Sequence, residues 1–361
     1  MMRITFILSS LWLSGGVSVV VEYANRLTQR GHQVSLVCPK DAHSIEIDAA
    51  ISPEVRVVET GVSIVETSGF LGKARLAVSM ASAVPPGDVV ISTHTPTTVA
   101  TFLACSLGHK GLPLWFYMDY SGMFEGRPVE AWLLKNAMRW HKAALVLSGH
   151  SADEIKAFSK NDGIVVGLGI SNLALFQSFR GRHRNDPSTN PSILYLGDFR
   201  PRKGLNDFLA AAERVYDQRL DVELWIALKE PGEVECRVPH RVITRPSIQE
   251  LAQLYATCDL FVSSSWYEGF GLPPLEAMAC GAPVVTTDSG GVREYVRPGE
   301  NCLLVPPKDP AKLSEAMLTV LNSTDLAEKF RRNGPVTSDE YTWEKATDRF
   351  EQALFKITGL H

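Results

Sequence analysis

Short runs of apolar residues alternate along the chain with longer segments whose apolar positions recur at helical spacing. The first run, Arg3 to Leu8, precedes Val17, Val20, Val21, Ala24 and Leu27, an i, i+3, i+4, i+7, i+10 series that predicts an amphipathic helix starting near Val17. Gly31 ends it, and Gln33 to Cys38 reads as the next strand. The pattern repeats at Val55–Val58, Asp88–Ser92, Leu114–Met118, Ala143–Leu147 and Ile164–Val166. Strands alternating with helices in this way predict a parallel sheet.

From Gln177 to Pro191 the periodicity stops, and turn formers stand among Arg180, Arg182, His183 and Arg184. This stretch reads as a linker, because a second series follows. Its strands fall at Ile193–Leu196, Val222–Ala227, Val242–Thr244, Leu260–Ser263, Pro283–Thr286 and Cys302–Val305, and Thr342 to Ile357 forms a closing amphipathic helix. The expected organisation is an α/β fold of two Rossmann-like domains, residues 1–176 and 192–340, joined by linker 177–191. Segment 341–361 is expected to pack back on the first domain. Two such domains imply a central cleft at the carboxyl ends of their strands. A chain of 361 residues also exceeds a usual single core.

Composition narrows the function. A net charge of −4 with 21% charged residues argues against broad nucleic-acid binding. The six cysteines form no CxxC pair and no zinc spacing with histidine, so no metal site is expected. Single scattered cysteines suit a reducing compartment. Met1 to Leu13 is apolar with one positive residue, Arg3. Gly15-Gly16 and an amphipathic helix follow instead of a cleavage site, so it reads as a first strand. No apolar run is long enough to span a bilayer, and a cytoplasmic location is expected.

The strongest chemical constellation runs from Ser263 to Glu276. A strand ends at Ser263, Gly269 and Gly271 let backbone amides turn outward, and Pro273-Pro274 begins a helix where a missing N–H costs nothing. A helix start of this kind seats a phosphate. Glu268 and Glu276 frame it, and carboxylates accept well from sugar hydroxyls. A capped turn with surface acids would give the same local pattern.

This segment resembles the Glu-x7-Glu motif of retaining glycosyltransferases of family four, which have the two-Rossmann GT-B fold. The run Glu276 to Val285, Gly290-Gly291-Val292-Arg293-Glu294 and Asn301 to Val305 carry the same resemblance. It implies that Glu268 contacts the donor sugar, Glu276 the ribose, and the amides of Phe270, Gly271 and Leu272 the diphosphate. It also makes the first domain the acceptor side and the second the donor side. The partners implied are a nucleoside-diphosphate (NDP) sugar and a sugar, lipid-linked or other hydroxyl acceptor, with no further cofactor.

Four other places are candidates. In Gly197 to Gly204, Lys203 fits the family's lysine, while Asp198 occupies its usual arginine position, leaving Arg200 or Arg202 to supply the second cation, Arg200 being preferred. Gly15 and Gly16 would approach the donor phosphates as a loop, although GxGxxG is absent. Asp119, at a strand end where many relatives carry histidine, is a candidate for the acceptor hydroxyl, ranked above His94. The basic aromatic stretch Trp132 to Lys142 admits peripheral contact with an anionic membrane, or an ordinary helix with Trp and Leu turned inward. The competing functional reading is a catalytically inactive nucleotide-sugar-binding or scaffold subunit, suggested by Asp198 and the missing histidine.

Overall fold

The computed structural model describes residues 1–66, 69–182 and 190–360. The apolar runs form two wholly parallel sheets. The first contains β1 (Arg3–Ile7), β2 (Gln33–Lys40), β3 (Arg56–Ser63), β4 (Val89–Ser92), β5 (Leu112–Tyr117), β6 (Ala143–Val146) and β7 (Ile164–Val165), in the order β3-β2-β1-β4-β5-β6-β7. Its central strands are covered on both faces, with Ile4, Phe6, Val90, Leu114 and Phe116 all buried. Such burial explains why they read as continuous apolar runs rather than as alternation. β3 outlasts its Val55–Val58 signal because the pairing shifts register between Cys38 and Lys40 and resumes with Lys40 opposite Ser63.

The second sheet contains β8 (Ser192–Gly197), β9 (Glu223–Leu228), β10 (His240–Thr244), β11 (Leu260–Ser263), β12 (Val284–Thr287) and β13 (Leu303–Val305), ordered β10-β9-β8-β11-β12-β13. Ile193, Tyr195, Phe208, Leu224, Ile226, Val262 and Met317 belong to one core beneath it.

Contacts divide the chain into one unit of Met1–Leu168 with Glu344–His361 and another of Gly169–Trp343. The final helix, Trp343–Thr358, supplies Phe350 to the first unit, its ring 4.4 Å from Tyr23 and 5.7 Å from Phe116. Arg30 secures the same helix through Glu344 at 2.7 Å, Asp348 at 2.7 Å and Glu351 at 3.0 Å. The change of unit lies ahead of the stretch 177–191 read as linker. Gln177 and Ser178 end the helix Leu173–Ser178 of the second unit, where Arg180 reaches Asp339 at 2.6 Å and the Ala279 carbonyl at 2.8 Å. Residues 183–189 of that stretch lie outside the described residues.

Two helical expectations are corrected. Ser14 caps the first helix, accepting from the Val17 amide at 3.3 Å, so the helix is Gly15–Gln29 and both glycines lie in its first turn. They are not a free loop. The Trp132–Lys142 stretch is no single amphipathic helix with its aromatics inward: the helix ends at Asn136, a 3-10 turn follows, and Trp132 is 53% exposed while Leu134, Ala137 and Met138 face the core. His141, counted with its basic residues, is buried; desolvation pushes its imidazole down to about 4, against a Nδ1 bond to the Ala137 carbonyl at 2.7 Å.

Each sheet reverses its strand order once, between β1 and β4 in the first and between β8 and β11 in the second. Ligands of open α/β sheets bind at such reversals, outside the carboxyl ends of the strands.

Candidate functional site

In the second unit the loops after β8 and β11 meet at the reversal. Lys203 Nζ donates to Glu268 Oε1 at 2.6 Å, and Arg202 NH1 lies 3.6 Å from Oε2. Both members of the closer pair are largely buried. Burial would raise the Glu268 pKa, but the charges of Lys203 and Arg202 and hydrogen bonds from Lys203 and Ser265 hold it below the ordinary carboxylate value. Arg202 also donates to the Tyr267 carbonyl at 3.2 Å, and its own carbonyl accepts from the Trp266 amide at 2.7 Å. It ties the two loops together rather than standing free in solvent.

Backbone bonds fix Glu268 further. Its amide donates to the Ser289 carbonyl at 2.8 Å, and its carbonyl accepts from Gly291 at 2.9 Å. Gly291 is required sterically, because a Cβ there would stand 2.4 Å from the Gly269 carbonyl carbon. Phe270 buries its ring between Tyr295 and Tyr341, each 5.8 Å away, which leaves only its backbone for a ligand. Gly271, at φ 86°, turns the chain into the helix Leu272–Cys280. Among the described residues the amides of Phe270, Gly271 and Leu272 have no protein acceptor, as expected at a helix start.

Glu276 lies one turn into that helix and accepts from the Tyr255 hydroxyl at 3.2 Å. Burial pushes its carboxyl up to about 7, opposed by the Tyr255 bond and by Lys229. The two acids of the motif therefore differ in charge near neutrality: Glu268 is ionised, whereas Glu276 stands close to its proton balance.

Asp198 is buried and clamps Arg200 in two places, Oδ1 to Nε at 2.9 Å and Oδ2 to NH2 at 2.5 Å. Burial opposes the Asp198 charge, but the bonds to Arg200 hold its pKa below normal. Arg200 is thus present beside the site with its charge largely offset. Lys229 was missed in the sequence. It follows β9, with its amide on the Gly197 carbonyl at 3.1 Å. Desolvation and the neighbouring Lys203 and Arg200 charges lower its ammonium pKa. A lysine at the end of the strand paired with β8 was the available signal.

In the first unit the reversal is flanked by Gly15 and Gly16 after β1 and by Thr93–Thr95 after β4. A Cβ on Gly16 would lie 3.8 Å from Met118 Cε, beside the end of β5. Asp119 is 3% exposed and does not present itself outward. It accepts from the Thr95 amide at 2.7 Å, from Thr95 Oγ1 at 2.5 Å and from His94 Nδ1. Of these two candidates for the acceptor hydroxyl, Asp119 is the buried member and His94 the more exposed one.

Residues 13–170 match the family model described as Glycosyltransferase Family 4, and residues 190–323 match Glycosyl transferases group 1. The chain belongs to the family-four glycosyltransferases. Two curated relatives of this chain are MMP alpha-(1->4)-mannosyltransferase of Mycolicibacterium hassiacum, 32% identical over 62% of this chain and 57% of its own, and O-antigen chain mannosyltransferase B of Escherichia coli, 32% identical over 43% of each. The chain spans about half the length of the curated relatives it matches. Among solved structures, sucrose-phosphate synthase from Thermosynechococcus elongatus aligns with a TM-score of 0.79 at 20% identity, covering 100% of both chains. Anabaena HepE in complex with UDP-glucose aligns with a TM-score of 0.76 at 17% identity, over 99% of this chain and 100% of its own. The fold class is GT-B. No helix among the described residues is long and apolar enough to cross a membrane.

Proposed function

We propose that this glycosyltransferase moves a sugar from an NDP-sugar to a hydroxyl acceptor with retention of anomeric configuration, in polysaccharide or glycoconjugate assembly. The observation carrying the proposal is the Lys203–Glu268 pair at the β8/β11 reversal, beside a helix start whose amides have no protein acceptor. The amides of Phe270, Gly271 and Leu272 would receive the diphosphate, and Glu276 a ribose hydroxyl. Glu268 would accept from donor-sugar hydroxyls while aiming Lys203 at the departing phosphate. As the glycosidic bond breaks, negative charge grows on the nucleoside diphosphate, and fixed cations stabilise it. Lys203 and Lys229 would supply most of that charge, with Arg200, largely offset by Asp198, beside them, so the reading requires no metal. Retention is assigned to a front-side route in which the departing phosphate helps deprotonate the acceptor, with Glu268 recognising hydroxyls rather than attacking. HepE is solved in complex with UDP-glucose, and with UDP and glucose, which supports a nucleotide-sugar donor.

The inactive-subunit reading drew on Asp198 in place of an arginine. The Asp198–Arg200 clamp keeps a guanidinium beside the site and favours the enzyme. Calorimetry with a panel of NDP-sugars, followed by assay of NDP release with and without acceptor extract, separates the two. Lys203→Ala and Glu268→Ala are expected to abolish most transfer with the fold intact. Near-normal rates in both variants would overturn the assignment, and binding without turnover on any acceptor would favour the inactive subunit.

A peripheral membrane contact has its own support. Phe70, Leu71, Val129 and Trp132 are exposed on the helices Gly69–Ala83 and Pro128–Asn136, which Lys73 and Glu130 bridge at 2.7 Å. Salt-sensitive cosedimentation with anionic vesicles is expected, and no binding at low salt would refute it.

A further inference from the structure

The strand reversal of the first unit carries its own polar pair, His94 and Asp119. Asp119 is buried and ends the β5 side, while His94 follows β4 with its side chain 25% exposed. A carboxylate only accepts, and this one already accepts from two Thr95 donors. His94 Nδ1 must therefore carry the proton in their shared hydrogen bond. In the neutral ring Nε2 is then a bare acceptor, and among the described residues it has no protein partner. Thr97 accepts from the His94 amide at 3.3 Å, and the Phe124 ring lies 5.7 Å from the imidazole. The Asp119 bond and the Phe124 ring hold the imidazole, and the Thr97 bond holds its backbone, with one acceptor atom left over.

The place matters as much as the bonding. Loops after β1 and β4 flank the reversal, so His94 occupies the position where an open parallel sheet holds its ligand. The buried Asp119 selects one tautomer of His94, the device by which a carboxylate orients a functional imidazole.

We propose that His94, oriented by Asp119, is the residue of the first unit that accepts a hydrogen bond from an acceptor hydroxyl next to the one to be glycosylated, whose own proton goes to the departing phosphate. This rests on the transferase reading above and adds the group that positions its acceptor. His94 touches the substrate; Asp119 is a positioning residue acting through it. In Asp119→Asn the amide oxygen would stay with the Thr95 donors and its NH2 would face His94 Nδ1. The proton would move to Nε2, and the acceptor atom would become a donor.

The test uses the full chain with 15N-labelled histidine and methyl glycosides as acceptor probes. His94 Nε2 is expected to give a pyridine-type signal in the wild type and a pyrrole-type signal in Asp119→Asn. A pyrrole-type Nε2 in the wild type overturns the proposal. With an NDP-sugar supplied, His94→Ala should lower kcat/KM for the glycoside by about tenfold or more, as expected for one lost substrate hydrogen bond. NDP release to water alone should stay within about twofold, since the donor side is untouched. His94→Gln, which places an amide oxygen near the Nε2 position, should restore part of the loss. An equal fall in both reactions, or no recovery with Gln, would mean a structural role and overturn the proposal. So would the absence, in the wild type, of both glycoside transfer and any glycoside effect on the Nε2 signal. Failure of the wild type to bind or cleave any NDP-sugar would instead overturn the donor reading, and the nitrogen signal would still report on the pair.

Discussion

Removing Lys203 strands a largely buried carboxylate, and the cost follows from its surroundings. In Lys203→Met the Glu268 charge loses its partner at 2.6 Å but keeps Arg202 at 3.6 Å. Breaking a buried ion pair from one side costs about 3–5 kcal/mol, and the remaining guanidinium sets the expectation at the lower end, about 3 kcal/mol. For a folding unit of this size each kcal/mol shifts Tm by about 2–4 °C, giving a fall of roughly 6–12 °C in the transition of the second unit. Glu268→Gln should also destabilise, whereas the double variant Lys203→Met with Glu268→Gln should recover about 2 kcal/mol relative to additivity. The pH dependence has a definite sign. The folded pKa of Glu268 is depressed, so the pair contributes fully above the ordinary carboxylate value and loses its contribution as pH falls through the depressed value. The gap between wild type and Lys203→Met should therefore be widest in alkaline solution, narrow on acidification as the unpaired, buried Glu268 of the variant takes up its proton, and close as pH falls through the depressed wild-type value. Urea and thermal unfolding of the four proteins measure this. Small additive effects, or a gap that persists in acid, would refute the coupling.

Two further predictions concern the same unit. The Glu276 carboxyl is raised to about 7 by burial, so its contribution is present in acid and lost as pH rises through that value. Glu276→Gln should therefore gain about 1–3 kcal/mol on the wild type between pH 5 and pH 8, measured by urea unfolding, and an unchanged difference would contradict the assignment. Gly291→Ala forces a methyl group to 2.4 Å from the Gly269 carbonyl carbon and should displace the Glu268–Phe270 backbone. A loss of about tenfold or more in NDP-sugar affinity by calorimetry is expected, and wild-type affinity would show that this backbone does not hold the diphosphate.

The sequence by itself determined the two parallel-sheet units and the place of the donor motif, because period and punctuation are local. The central strands were readable as apolar runs since both their faces are covered, and the glycines and prolines around Glu268 mark a strand-to-helix turn without reference to the rest of the chain. What the charged groups do there is not local. Lys203 meets Glu268 from 65 residues away in the chain, and Lys229 joins the group only because β9 pairs with β8. Strand pairing likewise brings Thr95 and Asp119 together, making Asp119 the buried member of its pair and His94 the presented one. The sequence could rank these residues only by type and by the strand each one follows. The tertiary structure decided which of them point outward, because hydrogen-bond partners more than twenty residues apart in the chain fix the orientation.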